Sequence, residues 1–188
     1  MNLDEDVFKM QPEYFSKTRA RSSVDYLLRT VHQHHVQLSL MADQKANILI
    51  AASFVILSLA LGFLQRGIYV TGIILLMGFL AVAASLAIFA VMPLSKPDKV
   101  RKKNPLFFGD FAADDEETFF KNVEAVLETD ASLYKAISYD IYQMGRTIYF
   151  TKYRYIRWSY RFFLAGFFSG GTLIVFESIG WIPSLIRG

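Results

Sequence analysis

Two long apolar runs joined by a short polar turn set the pattern of this chain. Ala46 to Leu64 carries only Asn47, Ser53 and Ser58 as polar members, and Tyr69 to Met92 carries no charge at all. A bilayer core about 30 Å thick is crossed by ~20 apolar residues of helix, and both runs are long enough. Only Gln65, Arg66, Gly67 and Ile68 separate them, so the pattern predicts an antiparallel transmembrane hairpin over residues 46–92. A third, weaker span is expected over 162–182, where Phe162 to Trp181 holds a single charge, Glu177, near its far end. The other arrangement open to that segment is flat on the inner membrane surface. The residues before it mix Tyr149, Tyr153, Tyr155, Trp158 and Tyr160 with Lys152, Arg154, Arg157 and Arg161, the composition of an interfacial belt.

Between the apolar runs the spacing is helical. Ser22 and Asp25 fit a capping-box start. Val24, Leu28, Val31, Leu38, Ala42 and Ala46 then recur at helical intervals, with His35 in the slot between Val31 and Leu38. No Pro or Gly interrupts Ser22 to Leu61, so one helix of about 40 residues, roughly 60 Å long, is the simplest prediction. Its stalk portion is residues 22–45, and residues 1–21 form a lead. Pro93 and Pro97 end the second span. Asp114 and Glu117 form a second capping pair, opening a short helix to about Glu128. Its apolar face would hold Phe119, Phe120, Val123 and Val126 or Leu127. Thr129 or Asp130 caps a further long helix whose seam is Leu133, Ile137, Ile141, Met144, Ile148 and Tyr155, running without a break into the third span. The fold class is therefore an all-α membrane protein: a transmembrane hairpin plus a third span, with long helices extending into a cytoplasmic helical stalk. Residues 93–161 form the cytoplasmic loop and helices, and 183–188 the tail.

Charge placement orients this scheme. Of the 20 Lys and Arg, only Arg66 and Arg187 lie outside two tracts, one before the first span and one from Met92 to Arg161. Lys96, Lys99, Arg101, Lys102 and Lys103 directly follow the second span. Cationic residues near span ends stay in the cytoplasm, so the N-terminus is expected inside and the Gln65–Ile68 turn outside. The basic cluster is read as this topology signal with contacts to anionic lipid headgroups, or as capture of a phosphate-bearing ligand. The first apolar run starts too late to be the h-region of a signal peptide. The chain has no cysteine, which excludes disulfides and thiolate metal sites. Outside the spans about 130 residues remain, little for a typical catalytic domain of ~100–150 residues plus connections.

Two segments carry candidate chemistry. In Met41-Ala42-Asp43-Gln44-Lys45-Ala46-Asn47, the residues Asp43, Lys45 and Asn47 stand at the cytoplasmic entrance of the first span, where a charge is costly and faces protein or water. They form either a polar collar joining neighbouring helices or a gate or ligand contact. In Asn104-Pro105-Leu106-Phe107-Phe108-Gly109, the two adjacent Phe suit either docking onto the stalk or membrane surface, or stacking on a planar base beside nearby cations. Gly166 and Gly170 form a small-xxx-small pair that lets helices approach closely, within one protomer or between protomers. Glu177 is read as a snorkelling group near the outer surface, with a pore-lining role as the sharper reading. His32, His34 and His35 lack the HExxH register and a third ligand, so no metal site and no cofactor is expected. No GxSxG, P-loop or GxGxxG is present, and the sequence is not that of an enzyme.

The Asp43–Asn47 entrance, the two-span hairpin, the Asn104–Gly109 loop and the final long Tyr-rich helix together resemble the transmembrane effector family of Pycsar anti-phage systems, over roughly Ser22 to Gly180. The resemblance implies a partner pyrimidine cyclase that makes a cyclic pyrimidine mononucleotide, cyclic UMP or cyclic CMP, on infection. It implies an effector that responds by impairing the bacterial inner membrane and ending the infected cell's growth. Carried onto this chain, Asp43, Lys45, Asn47, Asn104, Phe107, Phe108 and Gly109 are the matching ligand-binding or gating positions. No separate cyclic-nucleotide-binding β-barrel is visible. The expected partners are membrane lipid, the cyclic nucleotide and further copies of the chain, with no nucleic acid. The alternatives are a constitutive membrane scaffold recruiting a cytoplasmic partner, and a small membrane enzyme acting on phosphates through its histidines.

Overall fold

A computed structural model describes residues 14–68, 70–92 and 103–186, all in helices, turns and short connections. Lys96, Lys99, Arg101 and Lys102, Pro93 and Pro97, and most of the N-terminal lead lie outside the described residues. The elements are α1 (Ser22–Gln65), α2 (Thr71–Val91), the single turn α3 (Phe108–Phe111), α4 (Glu116–Leu127), α5 (Asp130–Thr147), a π-helical stretch (Ile148–Tyr153) and α6 (Arg154–Ile186). Three helical runs are long and apolar enough to cross a membrane: Ser22–Gln65, Thr71–Val91 and Asp130–Ile179. The structure forms two compact units, Met1–Val36 with Leu94–Arg146, and Gln37–Pro93 with Thr147–Gly188.

In the first unit, α1 and α5 run parallel. Tyr134 donates its hydroxyl proton to Asp25 at 3.0 Å, His32 Nε2 donates to Asp140 at 3.1 Å, and His35 lies against Gly145, so the paired positions advance together along both helices. Burial first, then the bond to Asp25, raises the Tyr134 hydroxyl above its ordinary range. The α1 seam is the expected one: Val24, Leu28, Val31, His35 and Leu38 are half-buried. The α5 seam differs. Tyr134, Ala136, Asp140 and Gln143 are its buried residues, while Leu133, Ile137, Ile141 and Met144 are half-buried. The reason is a loop that supplies donors to Asp140 and Gln143, which makes burying polar side chains tolerable.

Caps explain where the helices begin. The Arg21 carbonyl accepts the first α1 bonds from Val24 and Asp25, so Ser22 is the first helical residue rather than the cap. For α4 the cap is Asp115, accepting from the Thr118 N–H at 3.3 Å, and Asp114 instead pairs with Lys103. Hydrogen bonds from Thr118, its side chain foremost, hold the Asp115 carboxyl below the usual range. Thr129 and Ser132 exchange reciprocal side-chain bonds to each other's N–H at 3.0 and 3.1 Å, a capping box that starts α5. On α4 only Val126 is buried; Phe119 stacks on Phe111 at 5.1 Å, and Phe120 and Leu127 face outward.

In the second unit, small residues set the spacing. The buried positions of α1 are Ala42, Ala46, Leu49, Ser53 and Ala60, a 3.5-residue repeat. Ala42, Ala46 and Leu49 form one cluster with Ala87 and Ala90 of α2 and Ile156 of α6. This is why residues 37–45, assigned to the stalk by hydropathy, pack with the membrane helices. Helices α2 and α6 run antiparallel and nearly touch. A Cβ on Gly170 would lie 2.7 Å from Leu76 Cβ and 2.9 Å from the Gly72 carbonyl, and one on Gly166 would lie 2.5 Å from Phe79 Cβ. Ser159 donates to the Ala83 carbonyl at 2.6 Å along the same seam. Lipid offers no hydrophobic driving force between helices, so such close contact holds them together. The Gly166–Gly170 face is thus occupied within the protomer. The turn after α1 is a Schellman closure: Ile68 N–H bonds the Phe63 carbonyl and Gly67 N–H the Leu64 carbonyl, with Gly67 at φ 78°. The largest outward side chains, among them Phe54, Val55, Leu59, Phe167, Phe168 and Phe176, are apolar and suit lipid.

Replacing Gly170 by Ala should separate α2 from α6 and cost about 1–3 kcal/mol by overpacking. Thermal unfolding in detergent micelles checks this. The neighbouring Gly171→Ala, whose Cβ meets nothing within 4 Å, should leave the midpoint unchanged.

Candidate functional site

The loop Asn104–Gly109 is built around one fully buried side chain. Asn104 Nδ2 donates to Asp140 Oδ1 at 2.8 Å and to Gln143 Oε1 at 3.3 Å, and its Oδ1 accepts from the Leu106 N–H at 3.0 Å. Its backbone N–H donates to Asp110 Oδ2 at 2.8 Å, and its carbonyl accepts from the Phe107 N–H at 3.1 Å. Both amide protons are committed, so Asn104 shapes the loop. Pro105 fits the second position of this turn because its φ is fixed there. Gly109 sits under the Phe107 ring: a Cβ would lie 2.5 Å from Phe107 Cε1. Phe107 is half-buried, while Phe108 is 70% exposed with its ring 4.9 Å from that of Phe107. Docking of the loop therefore runs through Asn104, with the Phe pair lying outside that anchor.

Asp140 is the hub of this unit. One of its oxygens takes Asn104 and the other takes His32. His35, by contrast, donates Nδ1–H to the Val31 carbonyl at 2.8 Å in its own helix. Beside Asp140 lies a groove of about 530 Å³ lined by Asp25, Leu28, Arg29, His32, Leu106, Ile137 and Asp140. The four α1 residues follow i, i+3, i+4, i+7 spacing, so one helix face forms a whole wall. Among the described residues no group of three or more His, Cys, Asp or Glu is placed to hold a metal ion.

The membrane unit has its own polar nodes. Lys152 Nζ donates to both oxygens of Asp43 at 2.7 Å and to Ser39 Oγ at 2.8 Å. Lys45 Nζ stands 5.9 Å from the centre of the Tyr153 ring. Asn47 is exposed. Asp43 and Lys45 thus both meet the π-helical stretch, which contains Lys152 and Tyr153, while Asn47, one turn beyond Asp43, does not share that contact. At the opposite end of the spans Glu177 accepts from the Thr71 N–H at 3.2 Å and the Gly72 N–H at 3.3 Å. Val70 supplies no side-chain cap for α2, so Glu177 caps that helix from α6. Its carboxylate faces a helix N-terminus, which explains a charge that hydropathy left as a snorkelling or pore-lining group.

The residue pattern gives no sign of Asp140, Gln143 and Asp110 as partners of the loop, and it places Lys152 in an interfacial belt rather than against Asp43. A buried Asn in a Pro turn was the one available signal that a polar partner cluster had to exist. Asn104→Ala should lower stability by roughly 2–4 kcal/mol, because at least two buried partners lose their bonds. The exposed Asn47→Ala should stay within about 0.5 kcal/mol, both read by thermal unfolding followed by circular dichroism. For Asp43 and Lys152, a double-mutant cycle to Ala should return a coupling of about 1–2 kcal/mol; additive losses would mean the pair contributes nothing.

Comparisons with curated proteins and with solved structures give no match. Residues 26–177 match the family described as the Pycsar effector protein domain, a stretch that includes the Asn104 loop, the helices up to Glu177 and every residue lining the groove except Asp25. The chain therefore belongs to the Pycsar effector family: it is a transmembrane effector of anti-phage defence, functionally linked to a cyclic-nucleotide signal and its cyclase.

Proposed function

We propose that this protein is a ligand-gated membrane-impairing effector. A cyclic pyrimidine mononucleotide, cyclic UMP or cyclic CMP from a partner pyrimidine cyclase, triggers it. Several copies assemble in the bacterial inner membrane, with the N-terminus cytoplasmic, and the assembly breaches the membrane of the infected cell. The orientation rests on the cation tracts flanking the spans. The observation that carries the reading is α1 itself. One 44-residue helix supplies four groove-lining residues at its start and an apolar span at its end. No Pro or Gly interrupts that helix between Ser22 and Leu61.

Gating demands that the ligand bind the leaky arrangement more tightly than the sealed one. Moving a 1:99 equilibrium to 99:1 takes about 10⁴-fold preference, which an assembly of four copies reaches with only about tenfold at each. In this scheme Asp43 and Lys45 hold the sealed arrangement through Lys152 and Tyr153. Asn104, Phe107, Phe108 and Gly109 shape the loop beside the groove, and Asn47 marks the entrance of the span. Gly166 and Gly170 keep α2 and α6 in register within each copy.

Purified protein in dye-loaded liposomes tests this. Leakage should appear on adding cyclic UMP or cyclic CMP and be absent without nucleotide. Equal leakage under all conditions rejects ligand gating. A stoichiometric partner recovered from uninfected cells, with no leakage at all, would instead favour the scaffold reading. The cysteine-free chain also allows a single Cys at Glu124, which should react only with membrane-permeant reagents in intact cells.

A further inference from the structure

We propose that the groove beside Asp140 is the direct binding site for the nucleotide, that Arg29 carries its phosphate, and that the site favours a base with an exocyclic amine. This rests on the reading of the protein as a nucleotide-triggered effector and assigns the trigger's site to residues of which only Leu106 falls in a sequence-predicted candidate segment. The recess of about 530 Å³ falls within the ~300–1,000 Å³ usual for small-molecule sites. Leu28, Leu106 and Ile137 give it an apolar floor for the sugar and base faces.

The polar groups on the wall are unequal. Asp25 already accepts from Tyr134, and Asp140 accepts from both Asn104 and His32. Arg29 has neither an ion pair nor a hydrogen bond among the described residues. The groove thus offers one uncommitted guanidinium on a lining that also holds two carboxylates, Asp25 and Asp140. A guanidinium pairs with a phosphate through two parallel N–H bonds. Two carboxylates on the same lining repel a second negative charge. A cyclic phosphodiester, with its single charge, fits this balance; a linear 5′-monophosphate, with a further charge, does not. Once Arg29 is engaged, the other polar groups on the wall are the Asp25 and Asp140 carboxylates and His32, whose Nδ1 accepts in the neutral ring while Nε2–H is given to Asp140. Cytosine presents an amine donor where uracil presents a carbonyl acceptor, and a carboxylate accepts only from the former. The structure therefore assigns a preference for cyclic CMP over cyclic UMP.

Calorimetric titration of the full-length chain in detergent micelles decides the matter. Cyclic CMP should bind saturably, several-fold tighter than cyclic UMP and at least about tenfold tighter than linear CMP. Arg29→Ala and Arg29→Glu should each weaken cyclic CMP by about tenfold or more, the loss expected for a charge-assisted bond. Arg29→Lys should fall between them and the parent. Ile137→Trp, which fills the floor, should block binding, while Lys121→Ala, in an exposed pair with Glu117, should not alter it. Arg29 is exposed on α1, so its variants should keep the parent's helicity and melting temperature. Unchanged binding in the Arg29 variants, or equal affinity for cyclic and linear CMP, overturns the assignment. Liposome leakage separates this from the wider reading. Nucleotide-dependent leakage that Arg29→Glu leaves intact sinks the groove and spares the effector scheme. Arg29-dependent binding without leakage upholds the groove and sinks the scheme.

Discussion

A polar group carried into lipid is costly without a partner in protein, and that cost organises most of the membrane half of this molecule, the buried Ser53 hydroxyl being an exception among the described residues. Hydrocarbon has no water to satisfy an amide or a carboxylate. Each polar side chain described there with a long-range contact is accordingly spent on a neighbouring helix. Ser159 bonds a carbonyl of α2, Glu177 takes the two leading N–H groups of α2, and Lys152 closes on Asp43 and Ser39 of α1. These bonds alone would not align three helices. They work because glycine and alanine bring backbones near enough for short side chains to reach across. Close approach and polar satisfaction are thus one arrangement.

The unit built on the first part of α1 and on α5 solves the opposite problem. Its helices carry many charged and polar residues, and it buries an asparagine, an aspartate and a glutamine together. Such a cluster is stable only when fully satisfied. Asn104 brings a backbone turn and two amide protons to the carboxylate and amide of α5, and His32 takes the remaining carboxylate oxygen. The result fixes the loop on one helix pair and leaves a recess next to it. A half-satisfied version would be costlier than an apolar core.

Much of this was legible in the residues. Helical spacing and run length identified the spans, the long first helix with its seam from Val24 to Ala46, and the close glycine pair. Those features are local or periodic, and a chain reports them directly. The π-helical stretch was not legible, because Ile148–Tyr153 has ordinary helical composition and its widening depends on what Lys152 and Tyr153 meet in space. Asp115 took the cap from Asp114 because Lys103, eleven positions earlier, claims the latter. The α5 face went unread for a similar reason. Asp140 and Gln143 look like solvent-facing residues until a loop 36 positions upstream places an amide against them. Glu177 caps a helix more than 100 positions before it. Pairings at such separations carry no periodic signature.

The widened turn at Ile148–Tyr153 has a consequence for how the gene can vary. A π turn holds one residue more than the α turn it replaces, and losing it restores ordinary winding. Removing a single residue from this segment would tighten the turn and leave the matched surface of α6 against α2 undisturbed. The same deletion a few positions to either side would swing every later side chain by about 100° and strip the membrane helices of their matched surfaces. A one-residue deletion in this long helix is therefore best absorbed within the widened turn Ile148–Tyr153.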